Sequence, residues 1–117
     1  MINLIKKGNS YSGPFPYFYE TSSSSGGMHY QVVDLEKVCY VNNIVSWGLK
    51  LYNQNYLTIS GSNDGTTWTQ IARAQGKGNN TNYCVVRGGN VYYRYIRMAY
   101  NPIDGTTCTV GMSFSYE

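Results

Sequence analysis

The tetrad Ser62-Asn63-Asp64-Gly65 separates two short runs of β-branched and aromatic residues, Tyr56–Gly61 and Thr67–Arg73. Asn-Asp and Asp-Gly supply the left-handed backbone positions that a tight hairpin needs, so these runs read as paired antiparallel strands. The same punctuation recurs along the chain, at Gly88-Gly89-Asn90 and at Asp104-Gly105. A chain cut this often has no room for long helices. No stretch shows apolar residues at helical spacing, because Gly, aromatic and β-branched residues recur too frequently.

Between the turns, strands are expected at His29–Glu36, Asn43–Leu51, Tyr56–Gly61, Thr67–Arg73, Asn82–Arg87, Tyr92–Tyr100 and Thr107–Tyr116. Ile2 to Lys6 alternates like a short edge strand. Gly8 to Gly27 is rich in Pro, Ser, Gly and aromatics; Pro14 and Pro16 argue against regular pairing there, leaving a short extended piece at Tyr17–Thr21. Many short strands predict an antiparallel sandwich or barrel. In Tyr92–Tyr100, alternation puts Arg94, Ile96 and Met98 on one face and Tyr93, Tyr95 and Arg97 on the other, with the Ile96/Met98 side inward. Ile59, Val85, Trp68 and Trp47 are further core candidates. Asp34 and Arg97 are expected to form a structural ion pair between strands.

The 117 residues suit one unit with one core. Charged residues make up 13% of the chain, about half the usual share, whereas 13 residues are tyrosine. This is the make-up of broad, weakly charged recognition surfaces. Nine Lys and Arg against six acids give a net charge of +3, but only Lys6-Lys7 are adjacent, so no basic stripe for nucleic acid is indicated. Cys39, Cys84, Cys108 and the single histidine, His29, lack the paired spacing of a zinc site. One disulfide with a free thiol, or three buried thiols, both remain open. The first residues carry no signal-peptide pattern, and no run is apolar enough to span a bilayer. Either a signal was lost or the protein folds in the cytoplasm where it is made, which fits a virion component as well as a cytosolic protein. A virion or extracellular surface is the expected location.

Several strings then coincide. Val33-Asp34-Leu35-Glu36-Lys37-Val38, Ile44-Val45, Tyr56 through Thr69 with its Ser-Asn-Asp-Gly-x-x-Trp core, and Tyr93-Arg94-Tyr95-Ile96-Arg97-Met98 occur in order. Together they resemble the discoidin family, the coagulation factor five/eight C-type domain, which overlaps family 32 carbohydrate-binding modules. The match covers about residues 30–116 and leaves 1–28 as an N-terminal strand and an aromatic, Ser- and Gly-rich segment. Glu36 stands where the family usually has Gly, and Tyr30 where Trp is common. The resemblance implies an all-β, galactose-binding-like jelly-roll sandwich that binds glycans, lipids or proteins through loops at one end, without catalysis. In related modules a segment before the first matched strand helps hold calcium. That segment is not recognisable here and Glu20 is the only acid nearby, so a structural calcium stays open without being indicated, and no other cofactor or metal is expected.

Antiparallel order sends alternate connections to opposite ends. One end gathers Lys37–Asn42, Ser62–Gly65 and Gly88–Asn90, all tight turns. The other gathers the longer Ser22–Met28, Tyr52–Asn55, Ala74–Thr81 and Tyr100–Ile103. Tyrosine rings stack on the C–H faces of sugars, and Asn, Gln and Lys reach hydroxyls. Tyr52, Asn53, Asn55, Lys77, Asn79, Asn80, Tyr100 and Asn101 are therefore candidate ligand residues, with His29 beside them. Each also fits an ordinary solvated loop, and His29 a half-exposed strand histidine.

Most of the six acids are accounted for by turns (Asp64, Asp104), strand signature (Asp34) or the terminus (Glu117), which argues against the carboxylate pair of a glycosidase. The single His has no recognisable nucleophile. Two functions follow: a non-catalytic module that recognises a glycan on a cell surface as part of a surface or virion assembly, or a structural phage capsid-decoration or tail protein that uses the fold for docking to protein subunits of a larger assembly. Phe15-Pro16-Tyr17-Phe18-Tyr19 suits the second as an oligomer contact, and equally suits packing under its own sandwich.

Overall fold

The computed structural model describes residues 2–4 and 15–117, with side chains from residue 16 onward. The strands are β1 (Ile2–Leu4), β2 (Phe15–Ser23), β3 (His29–Leu49), β4 (Tyr56–Ser62), β5 (Thr69–Gln75), β6 (Cys84–Gly88), β7 (Val91–Tyr100) and β8 (Cys108–Tyr116). The Gly8–Pro14 stretch and the continuation of β1 to Lys6 lie outside the described residues.

The two strands expected at 29–36 and 43–51 are one 21-residue strand, β3. No loop intervenes at Lys37–Asn42. Instead β3 bends at Glu36 (φ 71°) and Asn43 (φ 54°), and its two halves serve different layers. Its first half pairs with β7, from His29↔Tyr100 to Asp34↔Tyr95 and, after a bulge, from Cys39↔Tyr93 to Val41↔Val91. Its second half lies between β8 (Leu49↔Thr109) and β6 (Gly48↔Cys84). One layer therefore runs β1-β3-β7-β4-β5 and the other β2-β8-β3-β6, the jelly-roll sandwich that the resemblance implies. β1 departs from the antiparallel rule by pairing parallel with β3, Ile2↔Val32.

Between the layers, Ile44, Leu57, Ile59, Ile96, Met98 and Met112 are almost completely buried. Each removes enough apolar surface from water to contribute roughly 1.5–3 kcal/mol. Ser46, also buried, donates to the Gly111 carbonyl at 2.9 Å and so adds no unpaired polar group. Cys39, Cys84 and Cys108 are buried, free thiols. Burial raises the Cys84 and Cys108 thiols above their ordinary range; Cys108 also donates to the Lys50 carbonyl at 2.6 Å.

Several core assignments need correction. Val85 is 43% exposed, because β6 turns Cys84 and Val86 inward. Trp47 is half-buried on the outer face, its indole lying over Gly111, where an added Cβ would sit 2.3 Å from the ring. Trp68 is also half-buried, under the guanidinium of Arg97 at 4.4 Å. Tyr93 packs against the core instead of facing outward. The strict two-residue alternation fails there because β3 and β7 slip register between Asp34 and Cys39. The same slip selects Asp34's partner. It is Arg94, held through Nε–Oδ1 at 2.9 Å and Nη2–Oδ2 at 3.0 Å, and not Arg97.

The Pro-rich segment pairs more regularly than expected. β2 runs alongside β8 from Phe15↔Tyr116 to Ser23↔Cys108, with Pro16 in the strand. Among the described residues β2 pairs with β8 alone, an edge position that tolerates a proline. The aromatic run divides by strand parity. Tyr17 stacks on Phe114 at 4.8 Å, while Phe18 is 67% exposed beside Trp47.

The β4–β5 turn is organised by Asp64, whose Oδ1 accepts the amides of Thr67 (2.7 Å) and Thr66 (2.8 Å) and the Ser62 hydroxyl (2.9 Å). Those donors lower its carboxyl from 3.8 to about 2. A depressed folded pKa means the turn's stabilisation is present above about pH 4 and is lost as pH falls through about 2. Asp64→Asn should flatten that acid limb of a thermal-melting profile while leaving the overall strand content intact. An unchanged limb between those pH values would show that the turn does not depend on the carboxylate.

Candidate functional site

The bend in β3 keeps the expected ends apart. The segments following β2, β3, β5 and β7 meet at one end, on a floor made by Leu51, Pro102 and Tyr100. Backbone bonds tie these segments together. Tyr52 N donates to Asn101 O (3.0 Å), Ile103 N to Lys50 O (3.2 Å), Gly76 N to Asn55 O (2.9 Å) and Gly78 N to Leu51 O (2.7 Å). Gly105 N donates to Ser24 O (2.9 Å), and Asp104 Oδ1 accepts from Gly26 N (3.0 Å). Gly76 lets two segments touch: a Cβ there would lie 2.2 Å from the Tyr52 carbonyl oxygen.

The candidate residues divide on this frame. Tyr52 is 39% exposed, and Asn53, Lys77, Asn79 and Asn80 are exposed around it. Asn79 holds Lys50, whose Nζ lies 3.1 Å from Oδ1 and 3.3 Å from the main-chain oxygen. Asn80 Oδ1 accepts from Asn82 N at 2.8 Å and closes its own turn. Asn55 is half-buried and supports Gly76.

Tyr100 does not face a ligand. It is 6% exposed and belongs to the core, because it occupies the inward parity shared by Ile96 and Met98. Burial, with a smaller contribution from Tyr19, raises its phenol above the ordinary range. His29 stacks on Tyr100 at 5.3 Å, and its Nε2 lies 3.0 Å from the Ser25 carbonyl, so it secures the Ser24–Met28 segment. Asn101 is half-buried, and its main-chain oxygen holds Tyr52.

Two exposed tyrosines at this end escaped the sequence reading. Tyr56 (40% exposed) lies under the Arg73 guanidinium at 4.1 Å, and Tyr83 is 44% exposed. Both precede an inward residue, Leu57 and Cys84. Strand parity could therefore have placed them outside.

Elsewhere, among the described residues, the tight-turn end carries a hollow of about 190 Å³ beside Tyr40 and Ser115 and another of about 310 Å³ beside Asp64 and Tyr93. On the outer face of the β2-containing layer, Phe18 and Trp47 lie 5.8 Å apart, with the Trp47 Nε1 donating to Glu20 at 3.3 Å. Among the described residues, no group of three or more His, Cys, Asp or Glu is placed to hold a metal ion. Nor is any helix long and apolar enough to cross a membrane.

Fold and loop arrangement together define an all-β sandwich with a preorganised loop end. No family model and no curated protein matches the chain. Among solved structures it is similar to chitosan-binding module 1 of a chitosanase/glucanase from Paenibacillus sp. IK-5. The two share 22% identity, with 84% of this chain and 75% of that chain covered, at a TM-score of 0.53. At that identity the likeness establishes the shared sandwich.

Proposed function

We propose that the protein is a non-catalytic glycan-binding module of discoidin-like type, with its ligand held at the long-loop end. One observation carries this reading. Tyr52 and the amides of Asn53 and Asn80, with Lys77, project from segments locked to one another by backbone hydrogen bonds over a buried floor. Binding groups held this way lose little conformational entropy when a ligand arrives. The Tyr52 ring is the stacking surface, and the amides and Lys77 Nζ are hydrogen-bonding groups for hydroxyls. The similar sandwich named as a chitosan-binding module adds weight, since that protein too is a binding module and not a catalytic domain.

A glycan array followed by calorimetry tests the reading. Tyr52→Ala should weaken whatever glycan binds by about tenfold, the equivalent of roughly 1.4 kcal/mol, with the melting temperature unchanged. Full retention of affinity in that variant would put the ligand elsewhere.

The exposed Phe18, Val85 and the outer edge of Trp47 favour a second reading, attachment to a larger assembly such as a virion surface. An array without any bound glycan, joined with stable association of the protein into a large assembly, would select it. The two readings are compatible, because a module displayed on a particle can present its loop end outward.

A further inference from the structure

The tight-turn end has a concavity that the loop site does not use. Its walls are Tyr40, Asn42 and Asn43 of β3, and Ser115, Tyr116 and Glu117. The chain builds it where β3 changes layers. Tyr40 N donates to Glu117 O at 2.9 Å, Glu117 N donates to Tyr40 O at 3.0 Å, and the β3–β8 register slips between Asn42 and Val45. Two asparagines here take the left-handed backbone, Asn43 (φ 54°) and Asn90 (φ 56°). Asparagine accepts that conformation at small cost and brings an amide that glycine would not.

These amides are arranged around phenols. Asn90 Oδ1 accepts the Tyr40 hydroxyl at 2.6 Å, which fixes the Tyr40 ring. Tyr92, 65% exposed, leans on that ring with centroids 5.2 Å apart at 46°. The Asn43 Nδ2 lies 3.5 Å from Ser115 Oγ, at the outer limit of a hydrogen bond, so its two N–H donors are scarcely used.

We infer that this hollow is a second ligand site, shaped for a single neutral sugar residue. The lining contains neither Lys nor Arg, and Glu117 repels anions, so phosphate and sulfate are unsuited. An extended peptide would need an open ladder, whereas the Tyr40 N–H and C=O are both taken by Glu117. A pyranose matches the two kinds of surface present. Its C–H face meets Tyr40, whose ring Tyr92 supports from outside the lining. Its hydroxyls meet the Asn43 amide, the Glu117 carboxylate and the Ser115 oxygen, which acts as an acceptor because its own proton goes to the Asn42 carbonyl at 3.2 Å. At about 190 Å³ the hollow is smaller than pockets for drug-sized ligands, roughly 300–1,000 Å³, which favours one ring over a chain.

The ligand class rests on the glycan reading above, but the residues are wholly different. With sites at opposite ends, the module would engage two glycan chains at once and gain avidity, by up to ~10²–10⁴-fold, on a surface dense in them.

Amide chemical-shift mapping with millimolar methyl glycosides of galactose, N-acetylgalactosamine, glucose, N-acetylglucosamine and fucose tests this. Wild type, Tyr52→Ala and Tyr92→Ala would be compared. The amides of Tyr40, Asn43, Asn90, Tyr92 and Ser115 should shift saturably with at least one glycoside in wild type and in Tyr52→Ala. Tyr92→Ala should weaken that response by about fivefold. Shifts confined to the loop end across the panel would overturn the second site and leave the loop site standing. Shifts at the hollow alone would uphold it and overturn the loop site. Silence at both ends would overturn both.

Discussion

Asp34→Ala should lower folding stability by about 2 kcal/mol in urea or thermal denaturation, more than any neighbouring surface substitution. Asp34 is 8% exposed, and its carboxylate does two jobs at the bend of β3. Its Oδ1 accepts the Glu36 amide at 2.8 Å, and both oxygens grip Arg94. The Arg94 hydrogen bond, its largest influence, holds the Asp34 carboxyl below its ordinary range. Arg94 has a side chain 40% exposed, so water can replace part of the ion pair and its share is discounted. The larger loss comes from Glu36, whose amide is left without its acceptor while its backbone stays left-handed at φ 71°. The sign of the pH effect follows from the lowered carboxyl. The stabilisation is present above the ordinary Asp range and lost as pH falls through the depressed value, so the variant should lack that part of the acid limb.

Glu36→Gly should act in the opposite direction, adding about 0.5–1 kcal/mol by removing the Cβ penalty of a left-handed residue. The resemblance to discoidin domains had singled out this position, where glycine is usual. The φ value supplies the reason. If Asp34→Ala and Glu36→Gly both melted within about 0.5 kcal/mol of wild type, the bend would not depend on either.

Gly76→Ala should damage the loop end most. The added Cβ would meet the Tyr52 oxygen at 2.2 Å, the Tyr52 carbonyl carbon at 2.9 Å and the Leu51 oxygen at 3.1 Å. All three are main-chain atoms and cannot rotate away. The Tyr52–Asn55 turn must therefore shift, loosening the Gly76–Asn55 and Gly78–Leu51 bonds. The expected cost is about 1–3 kcal/mol of stability, with affinity at the Tyr52 site reduced well over tenfold. Gly78→Ala is the control. It imposes left-handed strain (φ 63°) but meets nothing closer than the Asn53 side chain at 3.6 Å. It should cost about 1 kcal/mol and leave the Tyr52 amide resonance in place. A Gly76→Ala protein with an unmoved Tyr52 resonance and wild-type stability would remove the case for preorganisation by close backbone contact.

Local chemistry made much of this legible beforehand. The Ser62–Gly65 turn, the strand alternation around Ile59, Ile96 and Met98, and the division of loops between two ends depend on neighbours within a few residues. Phe18 and Tyr17 likewise separate by simple parity once β2 is a strand. The departures share a cause. Val85, Tyr93, Trp47 and Trp68 were placed by hydrophobicity or by unbroken alternation, and neither reports which face a twisted, bulged strand presents. Tyr100 was placed with a loop, although the alternation through Ile96 and Met98 continues to it and turns it inward.

The sequence paired Asp34 with Arg97, and only the register between β3 and β7 makes Arg94 the partner. What residue order determined by itself was a chain of short strands, a two-ended sandwich and a loop end rich in tyrosine and amides. What only the tertiary structure decided was that β3 runs unbroken through both layers. It also decided that Tyr100 supports the loop end from beneath, and that the turn end holds a hollow of its own. Turn chemistry and alternation act over a few residues, whereas bulges, register and close backbone contacts are settled by strands brought together from far apart in the chain.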